Sequence, residues 1–482
     1  MNPTLASVIC ACGIAGFFYL NRDNSVRTSK ALWLPVIYLW IIGSRSVSSW
    51  LGVAPTEGMS VQLDGSPLDA RVFGVLLAAA IAVLIWRGKR VRIFLAANWP
   101  ILIYFLYCLI SVTWSYHSDV AFKRWIKALS DIAMVLVMAT DGQPAAAFRR
   151  FIFRVGFLLL PASVLLIKYY GELGRGYTPD GEPMNTGVTT NKNSLGLVVL
   201  VISLGALWSV RALLTDKDAP NRGRRLVAQG GILAFGVALL KIAGSATCVA
   251  CFILGGGLFL ATSLTAMRSR PARVHALGLA IILVGGLAML SGGDAGVAHA
   301  LGRKSNLTGR TEIWAAVIPA QSNPIVGSGF ESFWISPDVQ KVWRTLSGWW
   351  NVSTALNEAH DGYIEIYLNL GWIGVCLIVL IFVTGYLHAV QALPRNPELG
   401  ALPLTYVIVF TFYNITEAGF RSTGVAWVFL LWAVVTANGV LAGHPGDLKP
   451  KLPAPRGGTL ARTTAVNGRI SESETVYASR RL

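Results

Sequence analysis

The chain has 482 residues, of which 54% are hydrophobic and only 13% charged, and it carries a formal net charge of +17. Soluble domains carry about 25% charged residues, so this composition excludes a soluble protein and gives the positive charge a membrane meaning rather than a nucleic-acid one. The apolar runs are continuous and do not alternate, which argues against a β-barrel and leaves helices to satisfy the backbone in lipid.

A helix crosses the hydrocarbon with about 20 apolar residues. Runs of this kind predict spans over 3–20, 31–43, 70–86, 93–112, 126–140, 151–169, 194–210, 226–243, 246–267, 274–290, 362–390, 401–414 and 424–441. The first run has no basic region before it and no A-x-A site after it, so it reads as a retained span rather than a cleaved signal peptide. The expected fold is an all-α polytopic membrane protein with about 12–13 transmembrane helices and one long periplasmic loop carrying short helices. Four regions follow: an N-terminal helix bundle over 1–291, the loop 292–361, C-terminal transmembrane helices over 362–441, and a basic tail over 442–482. The tail is rich in Pro, Gly, Ser, Thr and Arg and reads as disordered and cytoplasmic.

Basic residues gather in alternate loops, among them Arg22, Arg27 and Lys30, then Arg87, Lys89, Arg90 and Arg92, then Arg149 and Arg150, then Arg222, Arg224 and Arg225. Cytoplasmic loops are enriched in Lys and Arg. The N-terminus and the 292–361 loop are therefore expected outside and the C-terminus inside. Cys10, Cys12, Cys108, Cys248, Cys251 and Cys376 lie in or beside apolar runs, so no disulfide framework is read, and Cys248 and Cys251 serve as small packing residues.

Polar groups with strong chemistry are few on the expected outer side. Arg175 lies between the sixth and seventh runs. Lys192 and Asn193 stand at the mouth of the seventh, where free N–H groups and the positive end of the helix dipole favour an anion such as a lipid phosphate. The alternative is that Asn193 or Ser194 caps the helix while Lys192 reaches to the interface. In the long loop, Arg310 opens an apolar-periodic stretch and either meets a diphosphate oxygen or pairs with Glu312. His360, flanked by Glu358 and Asp361, has the imidazole–carboxylate pattern of a general base; otherwise it is a solvated interfacial histidine. Phe330, Phe333, Trp334, Trp343, Trp349 and Trp350 form an interfacial aromatic belt or stack on sugar rings. No HExxH motif, His/Cys cluster or P-loop occurs, so neither a metal nor ATP is indicated and no cofactor is expected.

Several pieces together resemble the bacterial O-antigen ligase and polysaccharide polymerase superfamily. They are Ser111-Val-Thr-Trp-Ser115, Thr190-Asn-Lys-Asn-Ser-Leu-Gly196, Leu307-Thr-Gly-Arg-Thr-Glu-Ile-Trp314, Asn323-Pro324 with Gly327-Ser-Gly-Phe330, and Ala359-His-Asp-Gly-Tyr363 followed by Leu368-Asn-Leu-Gly371. The resemblance covers roughly residues 90–440. It implies a metal-independent, inverting glycosyltransferase of the bacterial inner membrane that moves a glycan from a polyprenyl (undecaprenyl) diphosphate carrier to an acceptor hydroxyl at the periplasmic face. By the same resemblance His360 is the base, Arg310 holds the diphosphate, and Arg175 or Lys192 supplies a second cation beside Asn193. Partners implied are the lipid-linked donor, a glycan, lipid or protein acceptor, membrane lipids and a chain-length regulator, without nucleic acid. One departure is Ala243-Gly-Ser-Ala-Thr247, where relatives often carry an Arg after the Ser. Polymerisation is favoured over ligation because the Asn-Lys-Asn-Ser-Leu-Gly stretch looks like members tied to exopolysaccharide production. The rival class is a transporter or flippase of lipid-linked glycans or small anions, for which Asp131 and Lys241 are the internal ionisable candidates.

Overall fold

The apolar runs become helices because nothing else satisfies the backbone of a long hydrophobic segment away from water. A computed structural model describes residues 2–54, 65–178, 181–290, 308–346 and 356–443. In chain order the helices are α1 (Pro3–Leu20), α2 (Trp33–Ile42), α3 (Pro67–Trp86), α4 (Gly88–Ala97), α5 (Trp99–Ser111), α6 (Ser118–Ala139), α7 (Pro144–Tyr169), α8 (Lys192–Thr215), α9 (Arg222–Ala243), α10 (Ala246–Thr262), α11 (Pro271–Leu290), α12 (Thr308–Ala320), α13 (Val339–Leu346), α14 (Gly362–Arg395), α15 (Pro397–Thr416) and α16 (Val425–Leu441). One antiparallel pair, β1 (Arg175–Tyr177) and β2 (Pro183–Asn185), sits between α7 and α8.

Among the described residues, α1, α3, α7, α8, α9, α14 and α15 are long and apolar enough to cross a membrane, and α2, α10, α11 and α16 are shorter apolar helices. The chain is thus an all-α polytopic membrane protein. Outer helices keep apolar side chains in the open, as lipid contact requires: Val75, Ile85 and Trp86 on α3 are 70%, 75% and 85% exposed. At the centre, α15 packs on α10, α14 and α16, and α16 also meets α6.

The run over 93–112 does not form the single span expected of it. It splits into α4 and α5, which meet at a bend of 87°. Pro100 sits in the first turn of α5, where its missing N–H costs nothing, and its ring cannot follow a continuous helix. Asn98 fills the corner, donating from Nδ2 to the Phe94 carbonyl and accepting from Asn438 Nδ2.

α14 is also longer than expected and is broken near its start. Gly371 has φ 64° and ψ −167°, a conformation that only glycine adopts readily. The loop 324–329 repairs the exposed backbone: Ser328 and Gly329 N–H donate to the Leu368 and Asn369 carbonyls at 3.1 and 2.9 Å, and Trp372 N–H donates to Pro324 O at 2.9 Å. Ser111 Oγ accepts from Phe330 N–H at 3.1 Å, and Ser115 Oγ meets Ser332 Oγ at 2.7 Å. Three of the short sequence pieces therefore form one structural unit that holds the break in α14 at Gly371.

The tail, apart from residues 442–443, lies outside the described residues, as do Trp349 and Trp350 of the expected aromatic belt.

Candidate active site

His360 immediately precedes the N-cap of α14 and has φ +52°, in the left-handed region that only a few per cent of non-glycine residues adopt. Its neighbours hold it there. Ala359 N–H donates to Glu365 Oε1 at 2.6 Å, Ala359 O accepts from Trp314 Nε1 at 2.9 Å, and Asp361 caps α14 by accepting from Ile364 N–H at 2.8 Å. Strain that is over-determined in this way gathers at functional positions.

His360 Nδ1 lies 2.9 Å from Glu358 Oε1, and Arg421 Nη1 lies 3.0 Å from Glu358 Oε2. The imidazole meets the carboxylate off the line of a well-directed hydrogen bond, so the contact is chiefly one of charge. Burial alone would lower the imidazole pKa, but Glu358, aided by Glu417, outweighs burial and the opposing Arg310 and leaves it above 6.5. For Glu358 burial pulls upward, yet the contacts with His360 and Arg421 bring its carboxyl below the ordinary value. Burial pushes the neighbouring Asp361 up to about 6, against the N–H groups of Ile364 and Tyr363 that it accepts.

A second polar chain lies beside this one. Arg310, in the first turn of α12, donates from Nη2 to Glu417 Oε1 at 3.0 Å and from Nη1 to the Thr416 carbonyl. Asn193 Nδ2 donates to the same Glu417 oxygen at 2.8 Å. Burial pushes the Glu417 carboxyl up, opposed by Arg310 and His360. Asn193 is not the cap of α8; that place belongs to Asn191, whose Oδ1 accepts from Ser194 N–H at 2.8 Å. Nor is Glu312 the partner of Arg310: it accepts from Thr311 Oγ1 at 3.0 Å.

Both chains border a cavity of about 610 Å³ whose lining includes Lys192, Asn193, Glu358, His360, Glu417 and Arg421. With Arg310 on Glu417, three cations face two carboxylates, so the site keeps a net positive charge that grows when His360 is protonated. Arg175 is elsewhere: its Nε donates to the Ile167 carbonyl at 2.9 Å, and it is absent from the described lining. Of the expected residues, His360, Lys192, Asn193 and, through Glu417, Arg310 come together, while Arg175 does not. Among the described residues no group of three or more His, Cys, Asp or Glu is arranged to hold a metal.

Arg421 and Glu417 were not anticipated. Both lie in the turn 417–424 between α15 and α16, a stretch so short that it reads as a simple connection. Opposite charges four apart at the expected outer end of the last two spans were the available signal. The turn is pinned from three other elements: Ser422 N–H donates to Glu331 Oε1 at 2.8 Å, Thr423 N–H to Asp131 Oδ2 at 2.9 Å, and Gly419 N–H to Asn414 Oδ1 at 2.9 Å. Asp131, which also accepts from Tyr38 at 2.7 Å, is thus tied to the turn.

No family model matches the sequence. The chain is similar to the exopolysaccharide production protein ExoQ of Rhizobium meliloti (strain 1021), with 26% identity over 304 residues, 61% of this chain and 66% of that protein. The match thus spans slightly less than two thirds of the relative's length.

Proposed function

We propose that the protein is an inverting glycosyltransferase of the O-antigen ligase and polysaccharide polymerase type. It takes a glycan from a polyprenyl diphosphate carrier at the periplasmic face of a bacterial inner membrane and polymerises exopolysaccharide. The observation that carries this reading is the convergence of His360–Glu358–Arg421 with Lys192, Asn193 and the Arg310–Glu417 pair around one cavity. The similarity to an exopolysaccharide production protein supports the substrate class, and the loop charge bias supports the orientation.

The diphosphate of the donor lies against Lys192 and Asn193, and Arg310 adds its charge from behind Glu417. The negative charge of Glu358 beside Nδ1 favours the ring proton there and leaves Nε2 of His360 as the basic nitrogen. Nε2 takes the proton of the acceptor hydroxyl while that oxygen attacks the anomeric carbon from the face opposite the diphosphate. The carbon–oxygen bond to the diphosphate breaks, its electron pair stays on the phosphate oxygen, and the cations take up the added negative charge. His360 then returns its proton to water. The chain-length regulator is a partner of this reaction rather than of the cavity.

The test is reconstitution of the full chain in vesicles with a polyprenyl diphosphate-linked repeat unit. Formation of a glycosidic bond with inverted anomeric configuration, together with release of polyprenyl diphosphate, is expected. Movement of the lipid-linked glycan across the bilayer without bond formation would overturn this reading in favour of a transporter.

A further inference from the structure

A second cavity, of about 440 Å³, adjoins the one that holds His360. Asn357, Arg421, Ser422 and Thr423 line both, so a single wall separates them. The second cavity has a different chemistry. Trp334, Trp343 and Phe420 supply flat apolar faces, and Glu331, Asn357 and Arg124 supply polar groups among them. Such a mixture matches a pyranose, whose C–H faces lie on aromatic rings while its hydroxyls bond to carboxylate, amide and guanidinium groups. An acyl chain would leave these charged groups facing hydrocarbon at high cost.

Two further observations point to a ligand. Four non-glycine residues among those described have positive φ: Asn221, Glu331, His360 and Thr423. Glu331, His360 and Thr423, at +47°, +52° and +56°, all line one or both of these cavities. Backbone strain is therefore concentrated on the walls of the pair. In addition, Trp343 Nε1 is buried without a hydrogen-bond partner among the described residues, an N–H that ordinarily finds an acceptor in a finished core.

The two cavities are also mechanically joined. Glu365 takes the Trp334 indole N–H at 3.0 Å in the second cavity and the Ala359 N–H at 2.6 Å beside His360. What occupies one cavity therefore bears on the residue that sets the base in the other.

We propose that the second cavity binds the acceptor sugar, the terminal pyranose of the acceptor glycan, and presents its hydroxyl past the shared wall to His360. This inference rests on the transferase reading above. The acceptor oxygen forms the new bond to the anomeric carbon, its proton passes to His360, and the diphosphate leaves with the electron pair of the broken bond. Donor and acceptor thus enter from opposite sides of Arg421.

The test uses the full chain in vesicles, the lipid diphosphate-linked donor, and lipid-free oligosaccharides cut from the polymer of the source bacterium as acceptor probes. Trp343→Leu keeps apolar volume without a flat ring, and Trp343→Phe keeps the ring. Trp343→Leu is expected to raise the acceptor KM about tenfold, equivalent to about 1.4 kcal/mol, with the donor KM within about twofold of wild type. Trp343→Phe is expected to recover part of that loss, the remainder being the hydrogen bond from Nε1. Saturation-transfer NMR should detect the oligosaccharides on wild type and lose them on Trp343→Leu. An unchanged acceptor KM in Trp343→Leu, an equal rise in the donor KM, or no oligosaccharide binding to a wild type that still turns over donor would overturn the acceptor site alone. A wild type that binds the oligosaccharides but never releases polyprenyl diphosphate would instead overturn the transferase reading, and with it the acceptor role.

Discussion

Helix α15 and the turn 417–424 that follows it are adjacent in sequence but held by different forces. Of the most apolar window of α15, 89% is buried among neighbouring helices, and its position is shared by many contacts such as those of Tyr406, Phe410 and Leu404. The turn buries one large apolar side chain, Phe420, against Tyr363, Phe382 and Trp427. The rest of it is held by a few hydrogen bonds to Glu331, Asp131 and Asn414 and by the Arg421–Glu358 pair. The bundle's stability is thus distributed over many apolar contacts, whereas the shape of the site rests on one buried ring, Phe420, and a handful of polar anchors.

Stability and activity are therefore separable. The largest stability effect is expected for Phe410→Ala, a fully buried ring in α15, which should cost about 3–5 kcal/mol in a reversible unfolding measurement while the folded fraction keeps its turnover. A comparable loss of turnover in folded Phe410→Ala protein would break the separation. Arg310→Ala should do the reverse, lowering turnover about 100-fold or more as a charge-stabilising group is removed. Its stability loss should be smaller than that of Phe410→Ala, because burial has already pushed the Glu417 carboxyl up and protonation can discharge it once its partner is gone. Next in size, Lys192→Ala should lower donor affinity about tenfold, the effect of losing one cation worth about 1.4 kcal/mol. Arg175→Ala should change it by less than about twofold, since a surface substitution away from the cavity ordinarily has little effect. Equal losses in these two would mean that the diphosphate lies outside the cavity.

The smallest effect is on the pH profile. His360 must be neutral to accept a proton, so the rate should rise with pH through its pKa, which lies above 6.5 chiefly through Glu358 against the pull of burial. Removing that carboxylate in Glu358→Gln should move the acid limb to lower pH. Asp361 titrates nearby, at about 6, so a limb that stays in place in Glu358→Gln but moves in Asp361→Asn would assign it to Asp361 instead.

Much of the fold was legible because an apolar run needs only its own composition to become a helix. The corner at Asn98 was not, because 93–112 is apolar throughout and only Pro100, preceded by Asn98 and Trp99, marks the turn. The broken start of α14 was half legible: Gly371 and the Gly327–Gly329 pair stood out as motif pieces, but only the fold shows that one repairs the other. Within the site, His360, Arg310, Lys192 and Asn193 were visible as polar residues in places where chemistry is expensive. Arg421 and Glu417 were hidden in a short connection, since their importance comes from which helices lie across from that turn. Arg175 seemed equivalent to Lys192 in sequence, and the local bond to Ile167 is what separates them.

The most direct test of the central claim is the single-turnover rate of glycan transfer at saturating donor and acceptor, wild type against His360→Ala, with both proteins shown to be equally folded. A slowing of about 100-fold or more, in the range expected for loss of a general base, with donor affinity retained, is the result predicted. An unchanged rate would contradict the assignment of this cavity as the place where the bond is made.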